Sequence, residues 1–276
     1  MTTAPSPPAQ PSAAGVALLD LTLPTPEENL ALDEALLNEA EQAKRQGEPP
    51  RELLRFWESP GAFVVLGSTG RMAEEIQREA CDRAGVAVLR RSSGGGTVLM
   101  GPGCLCFSLI LDLEKRPELR DIHASYRAIL GRLAACLAVE GLAHQGISDL
   151  AVHGRKVAGN AQRRKRGTLL HHGAILYNFD LPTIAALLKE PARQPDYRAG
   201  RPHAEFLTNL ARPAGEIKLR LARCWNATKS PAARMLPDLV LPDLVLPDMA
   251  LPDLVLPDLA PLLREKYANP RWIERF

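Results

Sequence analysis

Between Leu236 and Ala260 the sequence reads LPDLV, LPDLV, LPDMA, LPDLV, LPDLA, five pentads in tandem. No other feature limits the fold so sharply. Each proline removes a backbone donor and clashes with the preceding turn, at about 3 kcal/mol in a helix. It bars an interior strand as well. The period is too short for the common solenoids. The tract therefore reads as an extended or polyproline-II-like insertion. It is a low-complexity loop on the simpler reading and an apolar docking segment on the other. Residues 1–15 are Pro/Ala/Ser-rich and read as a tail. The domain with a core then spans 16–230, and 231–276 is an extension holding the pentads (236–260) and a short helix.

Composition narrows the function classes. Of 276 residues 46% are apolar, which excludes a wholly disordered chain. A formal net charge of +2 excludes nucleic-acid binding by bulk electrostatics. No run approaches the roughly 18 uncharged apolar residues of a membrane helix. The opening MTTAPSPPAQPSAAG lacks the basic and apolar regions of a signal peptide. Five cysteines, an odd number, fit a reducing cytoplasm better than a disulfide framework. No Cys/His spacing of the zinc type occurs.

Helix signals open at Thr25, with Pro26 at the first helical position and Glu28 completing a capping box. That helix stops near Gly47 and Pro49-Pro50. LLRFW (53–57) and FVVLG (63–67) read as strands around a Ser59-Pro60-Gly61 turn. Residues 72–85 read as one amphipathic helix ending at Gly85, 86–91 and 104–111 as strands, and 122 to about 139 as a core-packed helix. Two β segments follow at 150–157 and 169–179. Mixed elements without strict alternation predict an α+β fold.

Two segments carry chemistry. In RRSSGGGTV (90–98) a strand delivers two arginines and then three glycines. Glycine is entropically costly, so the run points to close backbone approach, with bare amides and arginine cradling a phosphate. A glycine-rich hairpin is the plainer alternative, and neither the P-loop nor the dinucleotide fingerprint fits. In SDLAVHGRKVAGNAQ (148–162) a tight turn at 153–155 places Lys156 at a strand start, beside small residues. There it would hold a carboxylate or acyl phosphate as a point charge, or simply face solvent.

Together with LLHHGAILYNFDL (169–181), NLALDEALL, WESPGAFVVLG, FLTNL and KYANPRW, these segments resemble the lipoate–protein ligase A group of the biotin/lipoate ligase superfamily. The resemblance implies an α+β fold, a central mixed and largely antiparallel sheet flanked by helices, over 16–230. It implies ATP-dependent activation of lipoate to lipoyl-AMP, then transfer to a lysine of lipoyl-domain proteins. Those would be 2-oxoacid dehydrogenase E2 subunits and the glycine cleavage H protein. Arg91 and the Gly94, Gly95, Gly96, Thr97, Val98, Leu99 run would line the nucleotide side. Lys156 would meet the lipoate carboxylate and the α-phosphate, as the catalytic charge and not as a nucleophile. Asp149 would sit at the adenylate end and hold magnesium, and His172-Gly173 would belong to the strand closing the acyl pocket. Leu89, Val98 and Phe107 would help line an acyl tunnel.

Three departures shape the alternatives. Related acyltransferases place a cysteine just upstream of the lysine motif, but 142–148 (LAHQGIS) has none. This favours a ligase over a thioester mechanism. Gly101-Pro102-Gly103 instead resembles the octanoyltransferase form of the loop, so transfer from an acyl carrier without ATP is the runner-up. About 65 residues follow Leu210, fewer than the accessory domain of full ligases needs, so a separate accessory subunit is a possible partner. A non-catalytic lipoate-binding scaffold is the reading from another class. Cys104 and Cys106, on one strand face, read as buried small apolar residues before any redox or acyl-carrying role. The basic run Arg163-Arg164-Lys165-Arg166 reads as a hairpin tip, either solvated or steering an acidic acceptor.

Overall fold

The computed structural model describes residues 15–229 and 256–276, so the expectations for the 1–14 tail and most of the pentad tract lie outside the described residues. β1 (Ala17–Asp20) leads to α1 (Pro26–Arg45). The capping box is present: Thr25 Oγ1 accepts from Glu28 N at 3.2 Å, and Glu28 Oε2 accepts from Thr25 N at 3.0 Å. β2 (Leu53–Trp57) and β3 (Phe63–Leu66) follow as expected.

The stretch 72–85 differs from its expectation. It is two short helices, α2 (Met72–Glu75) and α3 (Arg78–Arg83), parted at Ile76. Ile76 is extended and buried, bridging to Leu188, and Gln77 N donates to Leu187 O at 2.8 Å. Burial of Ile76 and a tertiary hydrogen bond outweigh helix continuity, since propensity is a weak prior.

β4 (Ala87–Arg90), β5 (Val98–Met100) and β6 (Cys104–Asp112) precede α4 (Ile122–Leu137). Next come β7 (Leu142–Gln145), β8 (Asp149–Val152), β9 (Arg155–Arg164) and β10 (Thr168–Leu176). The turn before Lys156 is real, with His153 and Gly154 both at positive φ. β9 runs on through the basic residues to Arg164, so part of that run is strand and not turn. α5 (Leu181–Leu187), α6 (His203–Phe206), α7 (Ala214–Cys224) and β11 (Thr228–Lys229) complete the first described stretch. The segment 256–276 holds α8 (Ala260–Leu262), a π turn (Leu263–Tyr267) and α9 (Pro270–Ile273).

The strands form an eight-stranded mixed sheet, ordered β11-β1-β2-β6-β10-β9-β8-β7, and a three-stranded sheet, β4-β3-β5. β11, β1 and β2 are parallel and the rest of the large sheet is antiparallel. The architecture is the α+β class that the sequence indicates, a mixed sheet flanked by helices. Alternation along β6 divides the interior. Leu105, Phe107, Leu109 and Leu111 pack with α4 and α7, through Ile129, Leu130, Ile217 and Leu221. Cys104, Cys106 and Ile110 join the clusters on the other face, with α1 and the small sheet. The site lies on that second face.

The cysteines need one correction. Cys136 and Cys224 are joined as a disulfide, Cα atoms 5.8 Å apart, tying α4 to α7. An odd count and irregular spacing hide such a pair, because it is made by helix packing 88 residues apart in sequence. Cys81, Cys104 and Cys106 are free and buried.

Candidate active site

The glycine run turns between β4 and β5. Arg91, buried, holds the turn from inside: Nη2 donates to the carbonyls of Gly94 (2.7 Å) and Gly96 (2.9 Å), Nε to Ser93 Oγ (3.0 Å). Gly95 sits at φ +92, and a Cβ on Gly67 would meet Gly95 O at 1.9 Å. These are the close approach and positive φ that glycine permits. Thr97 N and Oγ1 both donate to Glu75 Oε2, at 3.1 and 2.5 Å, which pins the loop exit to α2. The amides of Gly94, Gly95 and Gly96 donate to no group among the described residues.

Two buried guanidinium groups flank this turn: Arg91 inside it, and Arg90, whose side chain reaches Gly67, Gly70, Trp272 and Ile273. Arg90 and Arg91 give their hydrogen bonds to carbonyl oxygens and one hydroxyl, with no carboxylate among their partners. Burial lowers both pKa values, that of Arg91 to about 10, so both remain cations at neutral pH. The Glu75 carboxylate, bonded to neither, offsets part of both charges from a distance. Bare amides beside the Arg91 cation make a place for an anion.

Lys156 starts β9. Its Nζ lies 2.8 Å from Asp149 Oδ1, and Tyr197 OH donates to Asp149 Oδ2 at 2.8 Å. Gly159 lies close beneath it: a Cβ there would stand 3.0 Å from Nζ, and the lysine would have to shift by a few tenths of an ångström. Lys156 and the glycine run meet in one place. An inner cavity of about 120 Å³ is lined by Arg91, Gly95, Gly96, Thr97, Val98, Lys156, His172 and Gly173. It adjoins an open cleft of about 1130 Å³ that shares Gly96, Thr97, Val98 and Lys156 and adds Leu99 and Asp149. Gly94 belongs to the same turn but lines neither space.

The inner cavity is apolar where an acyl chain would lie, with Leu30, Trp57, Val98, Met100, Cys106 and Phe107 on its walls. Leu89 is buried in the cluster behind it and does not line it. Gly173 has no room for a side chain: a Cβ would stand 2.1 Å from Asn160 Oδ1 and 2.6 Å from the Phe107 ring. His172 is paired with Ser93 Oγ at 2.6 Å, and burial holds its pKa down to about 4, so the imidazole is neutral. The Cys104 thiol and burial push the Cys106 thiol well above its ordinary range. A protonated buried thiol is a poor nucleophile.

Asp149 has a neighbourhood that differs from the expected metal position. Both its oxygens are taken, by Lys156 and Tyr197, and no group of three His, Cys, Asp or Glu side chains suited to a metal occurs among the described residues. The described residues therefore offer no cage of protein ligands for magnesium, and no step is routed through one. Sequence reading missed Glu75 and Tyr197, which reach the site from distant segments. It also gave no role to Arg90, although Arg90 stood in the quoted motif.

Comparison with known proteins defines the class. The Lipoyl protein ligase A/B catalytic domain model matches residues 25–220, and the chain belongs to this family. It is an enzyme of the lipoate ligase/octanoyltransferase group. Octanoyltransferase LipM of Carboxydothermus hydrogenoformans is 29% identical over 267 residues, 90% of this chain and 94% of the relative. A bi-partite lipoate protein ligase of Thermoplasma acidophilum, solved in a study with its E2 lipoyl domain, superposes with a TM-score of 0.69 at 21% identity, covering 94% of this chain and 96% of that one. A lipoate-protein ligase A bound with ATP also gives 0.69 at 21% identity, covering 95% and 99%. The two structures establish the shared fold.

Proposed function

We propose that the protein is a lipoate–protein ligase, which activates lipoate with ATP and transfers the lipoyl group to a lysine of lipoyl-domain proteins. The observation that carries this reading is the convergence of Lys156, the buried Arg91 guanidinium and the bare amides of Gly95 and Gly96 on one cavity. A carboxylate and a triphosphate repel as they approach, and fixed cations in a dry site relieve that repulsion. The lipoate carboxylate attacks the α-phosphorus, the bond to pyrophosphate breaks, and pyrophosphate leaves. Lys156 serves both anions as a point charge. The apolar walls exclude water from the mixed anhydride. A neutral acceptor amine then attacks the acyl carbon, AMP departs, and the amine's proton passes to solvent.

The absence of cysteine from 142–148 and the protonated state of Cys106 speak against a thioester route. The runner-up, octanoyl transfer from an acyl carrier without ATP, keeps two specific supports: the similarity to LipM over nearly the whole chain and the Gly101-Pro102-Gly103 loop. Two parallel reactions separate them, each with an unmodified lipoyl domain as acceptor and its mass as readout. One contains lipoate and ATP, the other octanoyl-carrier protein alone. A lipoyl mass increment only in the first supports the ligase, and an octanoyl increment only in the second replaces it with the transferase.

A further inference from the structure

Segment 256–276 lies beyond the residues that the family model matches, yet it is fastened to the glycine loop by two routes. In the first, Trp272 Nε1 donates to Arg90 O at 3.0 Å, and Arg90 Nε donates back to the carbonyls of Trp272 (3.1 Å) and Ile273 (3.0 Å). Arg90 Nη1 continues to the carbonyls of Gly67 (2.9 Å) and Gly70 (2.7 Å), and Gly67 backs directly onto Gly95. In the second, the Arg275 guanidinium donates to Ser68 O, and Ser68 N donates to Ser93 O at 2.8 Å. The segment's own anchor is elsewhere, on α1, where Tyr267 OH donates to Glu34 Oε2 at 2.7 Å.

The chemistry of these contacts is selective. Arg90 is fully buried and its Nη2 has no partner. Segment 256–276 presents to its side chain the carbonyls of Trp272 and Ile273, which orient a cation without neutralising it, with the Phe276 ring 5.5 Å away and the Arg275 cation near enough to lower its pKa. A carboxylate in place of these carbonyls would cancel the charge. Arg90 itself lines neither the cavity nor the cleft, so what it transmits to the loop passes through Gly67.

We infer that Trp272 and Arg275 are positioning residues for the nucleotide: acting through Arg90 and Gly67 on one route and Ser68 on the other, segment 256–276 presets the Gly94–Gly96 amides, so that a nucleoside triphosphate meets them without rearrangement. This rests on reading that loop as the phosphate site. Preorganisation of this kind acts on nucleotide affinity and leaves the acyl pocket alone.

Equilibrium titration of the full chain with ATP, and separately with lipoate, tests the inference in wild type, Trp272→Phe and Arg275→Gln. Trp272→Phe keeps an aromatic ring beneath Arg275 and removes the donor with the rest of the indole. Arg275→Gln breaks the second route independently, should the first variant fold poorly. Each variant should bind ATP about five- to tenfold more weakly, the effect of one lost hydrogen bond. Lipoate affinity should stay within about twofold. In turnover the KM for ATP should rise with kcat unchanged. Unchanged ATP affinity in both variants overturns the inference. So does a matched loss of ATP and lipoate binding with a lower melting temperature, which marks a purely structural role. A wild-type chain that binds lipoate but no ATP removes the phosphate reading beneath it and the inference together.

Discussion

Lys156 must be free enough to serve a carboxylate and a phosphate, yet fixed enough to meet both. Asp149 supplies the fixing at 2.8 Å, and Tyr197 fixes Asp149 in turn. Lys156→Ala should lower adenylate formation by at least about 100-fold with the fold intact, the scale of losing a preorganised charge. Near-normal turnover with a native circular dichroism spectrum would remove Lys156 from the mechanism. His172 makes a pH prediction. Its folded pKa of about 4 lies below the ordinary 6.5 because of burial, so the unfolded chain binds more protons between these values. Stability contributed by the neutral form is therefore full above 6.5 and declines toward 4. Urea unfolding at pH 7 and pH 5 should show wild type losing about 2 kcal/mol more than His172→Gln. Equal losses would mean that His172 is not held neutral. At this scale the glycines and Lys156 were legible because their signals are local. Glu75 and Tyr197 were not, since each reaches its partner only through tertiary folding.

The elements that sequence captured are those whose reasons lie within a few residues. The Thr25 box, the proline beside it and the apolar repeat of α4 each act inside one helix. The break at Ile76 was hidden because its cause is Leu188, on the far side of the sequence. The Cys136–Cys224 link was hidden for the same reason. Gly67 and Gly61 provide a test of what loops need. Both are glycines near β3, but a Cβ at 67 collides with Gly95 O at 1.9 Å whereas one at 61 meets nothing within 4 Å. Gly67→Ala should weaken ATP binding at least about tenfold and lower the melting temperature, as steric strain at a backbone contact does. Gly61→Ala should leave both unchanged. Equal behaviour of the two variants in a thermal melt and an ATP titration would contradict the described loop packing.

Over the whole molecule, two sheets and α1 enclose the acyl cavity, and segment 256–276 closes around the small sheet from behind. The basic hairpin tip lies at the other end of β9, about 26 Å from Lys156 at 3.3 Å per residue. Arg164 is already committed, donating to the carbonyls of Leu119 (2.7 Å) and Arg120 (2.8 Å). Only Arg163, Lys165 and Arg166 remain for steering an acidic acceptor. Their reversal to glutamate should raise the acceptor KM and flatten its salt dependence, with adenylate formation untouched. An unchanged acceptor KM across ionic strengths would leave the tip as a solvated turn. The central claim, that one cavity forces lipoate and a triphosphate together, is tested most directly by exchange of labelled pyrophosphate into ATP with no acceptor present. The account predicts exchange that needs lipoate and vanishes in Lys156→Ala. Absence of exchange from folded wild-type chain supplied with lipoate, ATP and magnesium would contradict it.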